Sequence, residues 1–162
     1  MATVSPENRW SYSLTLPHDP HSARIARITA RGAVESHGMG ELADVTELVV
    51  SELVTNSYLY SDGPIEVRLK YVADDRLRIR VWDRNPEVPS AFERPVRCGK
   101  GLIPEIDPEA SRGRGLRIVR LCADNWGSWS GSATYPGLQG KLLWCEVSPA
   151  SVPFALAVTA AV

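Results

Sequence analysis

At 162 residues, with 44% hydrophobic and 23% charged side chains, the chain has the size and composition of one globular domain with a full core. A formal net charge of −1 leaves no basic footprint for direct nucleic-acid binding or for an anionic membrane surface. Cys98, Cys122 and Cys145 lack a CxxC pattern, and His18, His21 and His37 form no metal-spaced cluster with them, which favours reduced thiols in a cytoplasm over disulfides or zinc.

Met1 to Arg9 is short and polar, without the apolar centre of a signal peptide. Trp10, Tyr12, Leu14 and Leu16 then alternate with Ser11, Ser13 and Thr15, the period of a half-buried strand that Pro17 ends. Asp19-Pro20 reads as a helix start, and Gly38-Met39-Gly40 as its stop after about His37. Arg24, Arg27 and Arg31 fall on one face of that helix. They make either a solvated stripe or a docking surface for an acidic partner.

A long amphipathic helix is predicted from Glu41 to Ser61, with Leu42, Val45, Val49, Leu53 and Tyr60 on its core stripe. Asn56 lies within the same arc, and Glu52 sits at its edge one turn earlier. Residues four apart project onto one patch, so both can serve one ligand. The carboxylate suits a general base and the amide oxygen suits a hard cation such as Mg²⁺. The plainer alternative is a helix-edge glutamate and an asparagine that caps nearby backbone.

Ser61-Asp62-Gly63-Pro64 closes the helix. Ile65, Val67, Leu69 and Tyr71 alternate with charged residues, as do Leu77, Ile79 and Val81 after a turn at Ala73-Asp74-Asp75, which together predict an antiparallel hairpin. Continued alternation puts Asp83 on the covered face, where a carboxylate needs a specific donor. Otherwise the chain has left the strand there and turned outward before Pro86.

From Arg84 to Arg112 all periodicity is lost among five prolines, which suggests a lid. It ends in Arg112-Gly113-Arg114-Gly115-Leu116, ahead of a helical stripe through Leu116, Val119 and Ala123. A Gly-x-Gly loop opening a helix presents backbone N–H groups to an anion, and Arg114 adds charge-assisted donors. A second hairpin, Asn125–Ser130 and Lys141–Val147, closes the domain at about residue 148. Residues 149–162 read as an apolar appendage, and the run from Val152 to Val162 is too short to span a bilayer.

Glu52-x-x-x-Asn56 on a helix, Asp83-x-x-Pro86 after a strand, a long lid and Gly113-x-Gly115 at a helix start stand in fixed order. That order resembles the ATP-binding domain shared by gyrase, the ninety-kilodalton chaperone and sensor histidine kinases, the Bergerat fold. Within that superfamily ELVVSELVTNS, VWDRNP and GRGLRIV look most like the three nucleotide-binding boxes of the bacterial anti-sigma-factor serine/threonine kinases. The likeness runs from about Tyr12 to Val147. It implies an α+β two-layer sandwich, with a mixed, mostly antiparallel sheet covered on one face by three helices.

The resemblance also assigns roles. Asn56 holds Mg²⁺, and Glu52 takes the proton from the attacking hydroxyl. Asp83, with Pro86 beside it, receives the adenine amino group, while Gly113, Arg114, Gly115 and Leu116 cradle the phosphates of ATP. The implied partners are a sigma factor and an anti-anti-sigma protein of the STAS type, with room for a homodimer. A non-catalytic ATP-binding adaptor would carry the same motifs. Against the family pattern, Asp83-Arg84-Asn85-Pro86 has no glycine, Tyr60 stands where many relatives have His, and Gly140-Lys141-Leu142 stands where many place an adenine-binding Thr.

Overall fold

Every second side chain is buried along β2 (Ile65–Tyr71) and β3 (Leu77–Asp83), as the alternation requires, and the two strands pair antiparallel. The structure is a computed structural model that describes residues 10–93, 114–131 and 139–160. Between the strands Asp74 and Asp75 both adopt positive φ, 51° and 55°, and the Arg76 N–H donates to the Ala73 carbonyl at 2.9 Å. This is the turn type whose twist matches the flanking strands. It is made here by two aspartates, residues that tolerate the left-handed region better than most.

β1 (Ser11–Leu16) pairs with β2, and β5 (Gly140–Val147) lies between β3 and β4 (Asn125–Gly131). The strand order is β1-β2-β3-β5-β4. Every pairing among the described residues is antiparallel, so the mixed sheet expected above is corrected there to an antiparallel one. Cross-strand rows on the covered face run Leu14–Val67–Val81–Leu143 and Leu69–Ile79–Cys145. The next row in the same register pairs Asp83 with Lys141, both on that covered face.

Helices pack over these rows. α1 (Ser22–Ser36) buries Ser22, Ala26, Ala30 and Val34, a small-residue ridge that lets it lie close on its neighbour. A 3₁₀ turn over Gly40–Leu42 leads into α2 (Ala43–Tyr60). α2 contacts α1, α3 and three of the strands, and so buries more than one stripe: Val50 and Val54 join Val45, Val49 and Leu53. Tyr60, expected on that stripe, is 41% exposed, because the last turn of α2 runs past the core.

α3 (Arg114–Cys122) buries Leu116, Val119 and Cys122 beside α2. The expected appendage is helical over α4 (Val152–Ala160), which follows a 3₁₀ turn at Pro149–Ser151 and contacts α3 and α2 with Ala155 buried. Cys122 and Cys145 are free and buried, and burial pushes both thiols up in pKa, so both stay protonated and unreactive. No helix among the described residues is long and apolar enough to cross a membrane.

Candidate functional site

The two polar residues singled out on α2 are placed as their spacing requires, but in different environments. Asn56 is 8% exposed, and its Oδ1 has no hydrogen-bond partner among the described residues. A buried amide oxygen left unpaired costs about 1–3 kcal/mol, so the arrangement makes physical sense if something else supplies its partner. A hard divalent cation is such a partner. Among the described residues no three His, Cys, Asp or Glu side chains are grouped to hold a metal. A cation on Asn56 would therefore take its remaining ligands from waters and from phosphate oxygens, the habit of magnesium.

Glu52, one turn earlier, is half-buried, and desolvation raises its carboxyl above the ordinary glutamate pKa. Its carboxylate lies against the backbone of Gly115. A Cβ added there would sit 1.7 Å from Glu52 Oε2, inside any possible contact. Glycine at 115 is therefore what allows the start of α3 to close over Glu52. This contact joins two of the three sequence boxes, Glu52 of the first and Gly115 of the third. Arg114 is exposed beside them, whereas the Leu116 side chain is 2% exposed and belongs to the core, which leaves only its backbone for an anion. Gly113 lies outside the described residues, as does most of the expected lid.

Asp83 stays in the strand and points into the covered side, 1% exposed, which decides between the two readings of its alternation. Three donors meet its carboxylate. Ser57 Oγ donates to Oδ2 at 2.6 Å, and the Asn85 N–H donates to Oδ1 at 2.9 Å. Lys141 Nζ, itself 1% exposed, donates to Oδ1 at 2.9 Å and more loosely to the Asn85 carbonyl at 3.4 Å. Ser57 and Lys141 are partners of Asp83 that the sequence reasoning above does not name as such. Ser57 had a signal, since it follows Leu53 by four on the buried stripe. For Lys141 the signal is the departure from the family pattern at Gly140-Lys141-Leu142, while its pairing with a residue 58 positions away leaves no local trace.

The segment after Asp83 is held in place. Asn85 Nδ2 donates to the Tyr60 carbonyl at 2.8 Å, and Ser130 Oγ on β4 donates to the Pro86 carbonyl at 2.6 Å. Farther on, a 3₁₀ turn at Ser90–Phe92 buries Phe92 completely against Trp126, at 5.4 Å between ring centroids. Arg120 of α3 lies 4.4 Å from the Trp126 ring and donates to the Ala91 carbonyl. The start of the expected lid is thus anchored to the same helix that carries Gly115.

The arginine stripe of α1 divides. Arg31 reaches across to α2, donating to Glu47 at 2.7 Å and to Asp44, and along α1 to Glu35. It ties the two helices together, whereas Arg24 is exposed and Arg27 half-exposed, with no ion pair among the described residues.

Residues 42–150 match the model of a family described as histidine kinase-, DNA gyrase B-, and HSP90-like ATPase. The match begins just before α2 and ends just past β5, so it takes in Glu52, Asn56, Asp83, Gly115 and Lys141. No curated protein matches the chain.

Proposed function

The chain belongs to the histidine kinase-, DNA gyrase B-, and HSP90-like ATPase family, and we propose that it works within it as an ATP-dependent regulatory serine/threonine kinase of the anti-sigma type. The observation that carries this reading is the unpartnered, buried Asn56 Oδ1 one turn from a half-buried Glu52 that α3 closes over at Gly115. Asn56 would hold magnesium, which when bound neutralises phosphate charge. Glu52 accepts the proton of an incoming hydroxyl, a task its raised pKa suits, since an efficient base titrates near the working pH. Backbone N–H groups at the start of α3 and the Arg114 guanidinium steady the phosphates, and Asp83 faces the base. Phosphoryl transfer asks mainly for such positioning and charge neutralisation.

The hydroxyl belongs, on this reading, to a serine or threonine of a STAS-type anti-anti-sigma protein, and the other partner is a sigma factor. Arg24 and Arg27 offer a cationic edge on α1 for either, with Arg31 behind them committed to α2. A nucleotide-binding adaptor without transfer would use the same residues, with Asp83 engaged by Lys141, Ser57 and Asn85 in either case. Incubation with γ-labelled ATP, magnesium and a co-encoded anti-anti-sigma candidate separates the two. Label on a serine or threonine of the partner supports the kinase. Magnesium-dependent nucleotide binding with no label transferred leaves the adaptor.

A further inference from the structure

We propose that Lys141 sets the base selectivity of the nucleotide site by donating to Asp83 in the place that a nucleobase amino group would take. The inference rests on the nucleotide reading above. Asp83 and Lys141 are direct cross-strand partners on the covered face, each 1% exposed, with Nζ 2.9 Å from Oδ1. An ionised carboxylate has about four acceptor positions. Ser57 Oγ occupies one on Oδ2, and Lys141 Nζ with the Asn85 N–H occupies two on Oδ1.

What remains is one position on a carboxylate that is closed from solvent and already neutralised by an ammonium. A base amino group is a neutral donor. The bond it would displace is charge-assisted and roughly twice as strong as a neutral one. Lys141 also cannot easily step aside. β5 starts so close to β3 that a Cβ at Gly140 would come within 2.3 Å of the Asp83 carbonyl and 2.8 Å of the Trp82 ring. Moving the ammonium away from its partner would leave a buried charge unpaired, which is costly.

The consequence is specific to the base. Adenine and guanine differ at the ring position where adenine carries an amino donor and guanine a carbonyl acceptor. A bare aspartate favours the donor. An aspartate paired with a lysine offers a single, charge-neutralised acceptor position beside a remaining N–H donor, so the preference for adenine is lost while the phosphate end of the site is unaffected. The wild-type protein therefore binds triphosphates chiefly through Asn56 and the start of α3, with little regard for the base. Replacing Lys141 by a neutral residue returns the carboxylate to the base and restores selectivity by about tenfold or more.

The test is calorimetric titration of the full chain, in magnesium, with ATP, GTP and inorganic tripolyphosphate, for wild type, Lys141→Thr and Lys141→Gln. Lys141→Gln keeps a neutral donor beside Asp83 and serves if the threonine variant does not fold, as judged by its thermal transition. The expected result is wild-type affinities for ATP and GTP within about threefold of each other, and at least a tenfold preference for ATP in the variant. A wild type that already prefers ATP tenfold, unchanged in the variant, overturns the role of Lys141 and leaves the nucleotide site standing. A variant as indifferent to the base as wild type overturns it as well. If no triphosphate binds to any form, the nucleotide reading falls and the inference with it.

Discussion

Glu52 carries opposing demands, because the burial that tunes it as a base also penalises its charge. Its pKa is raised in the folded protein, so the stability it contributes is complete below the ordinary glutamate range, about 4, and is lost as pH rises through the raised value. Glu52→Gln, permanently neutral, should therefore melt at a higher temperature than wild type near neutral pH. The difference should vanish in acid, which a series of thermal melts against pH would check. The same substitution removes the base and should slow transfer by about 10²–10⁴ while nucleotide affinity holds. Gly115→Ala makes the complementary test, since its methyl group and the Glu52 carboxylate claim the same space. A folded Gly115→Ala protein that transfers phosphate at the wild-type rate would show that Glu52 need not sit there. Glu52 and Asn56 were legible in the sequence because an i, i+4 pair is a local relation. Asp83 was half-legible, since alternation gave its face only if the strand persisted.

Among the elements, what the sequence hid were long-range engagements. Five prolines between Arg84 and Arg112 erase any period, yet Phe92 in that stretch is fully buried, through contacts with β4 and α3 that no local pattern records. Truncating a buried phenylalanine typically costs about 3–5 kcal/mol. Phe92→Ala should show that loss in denaturant melts and should also expose the 86–93 segment to protease. Full resistance to cleavage would mean that Ser128 and Ser130 on β4 suffice to hold it. Arg31 belongs by spacing to a three-arginine stripe, solvated or docking, and its acidic partners on α2 appear only once α1 and α2 pack. Tyr60 followed the helical period but not the core, which ends before the last turn of α2. The β2–β3 turn is a smaller case: both central residues hold positive φ, where glycine avoids the Cβ clash. Asp75→Gly should stabilise the domain by about 1 kcal/mol, measured as a shift of the denaturant midpoint with unchanged slope.

At the scale of the molecule, the covered face of one antiparallel sheet holds a hydrophobic core along most of its width and ends in a polar row, Asp83 with Lys141, where α2 supplies Ser57. Beside that end, α2 and α3 bring Glu52 against Gly115, and Asn56 keeps an unsatisfied oxygen in the interior. The fold class and the order of the boxes were legible because alternation and helical period are strong local signals. The all-antiparallel register and the helical packing of residues 152–160 are products of assembly. A ligand that binds only the folded state at a hundred times its dissociation constant adds about 2.7 kcal/mol, enough to read as a clear rise in melting temperature. The most direct measurement is the thermal shift of wild type and Asn56→Ala by ATP, with magnesium and with magnesium chelated. The expected result is a rise in wild type that requires magnesium and a small, magnesium-independent rise or none in Asn56→Ala. An equal, magnesium-independent shift in both proteins, or no shift in wild type at millimolar nucleotide, would contradict the assignment of Asn56 and the site built around it.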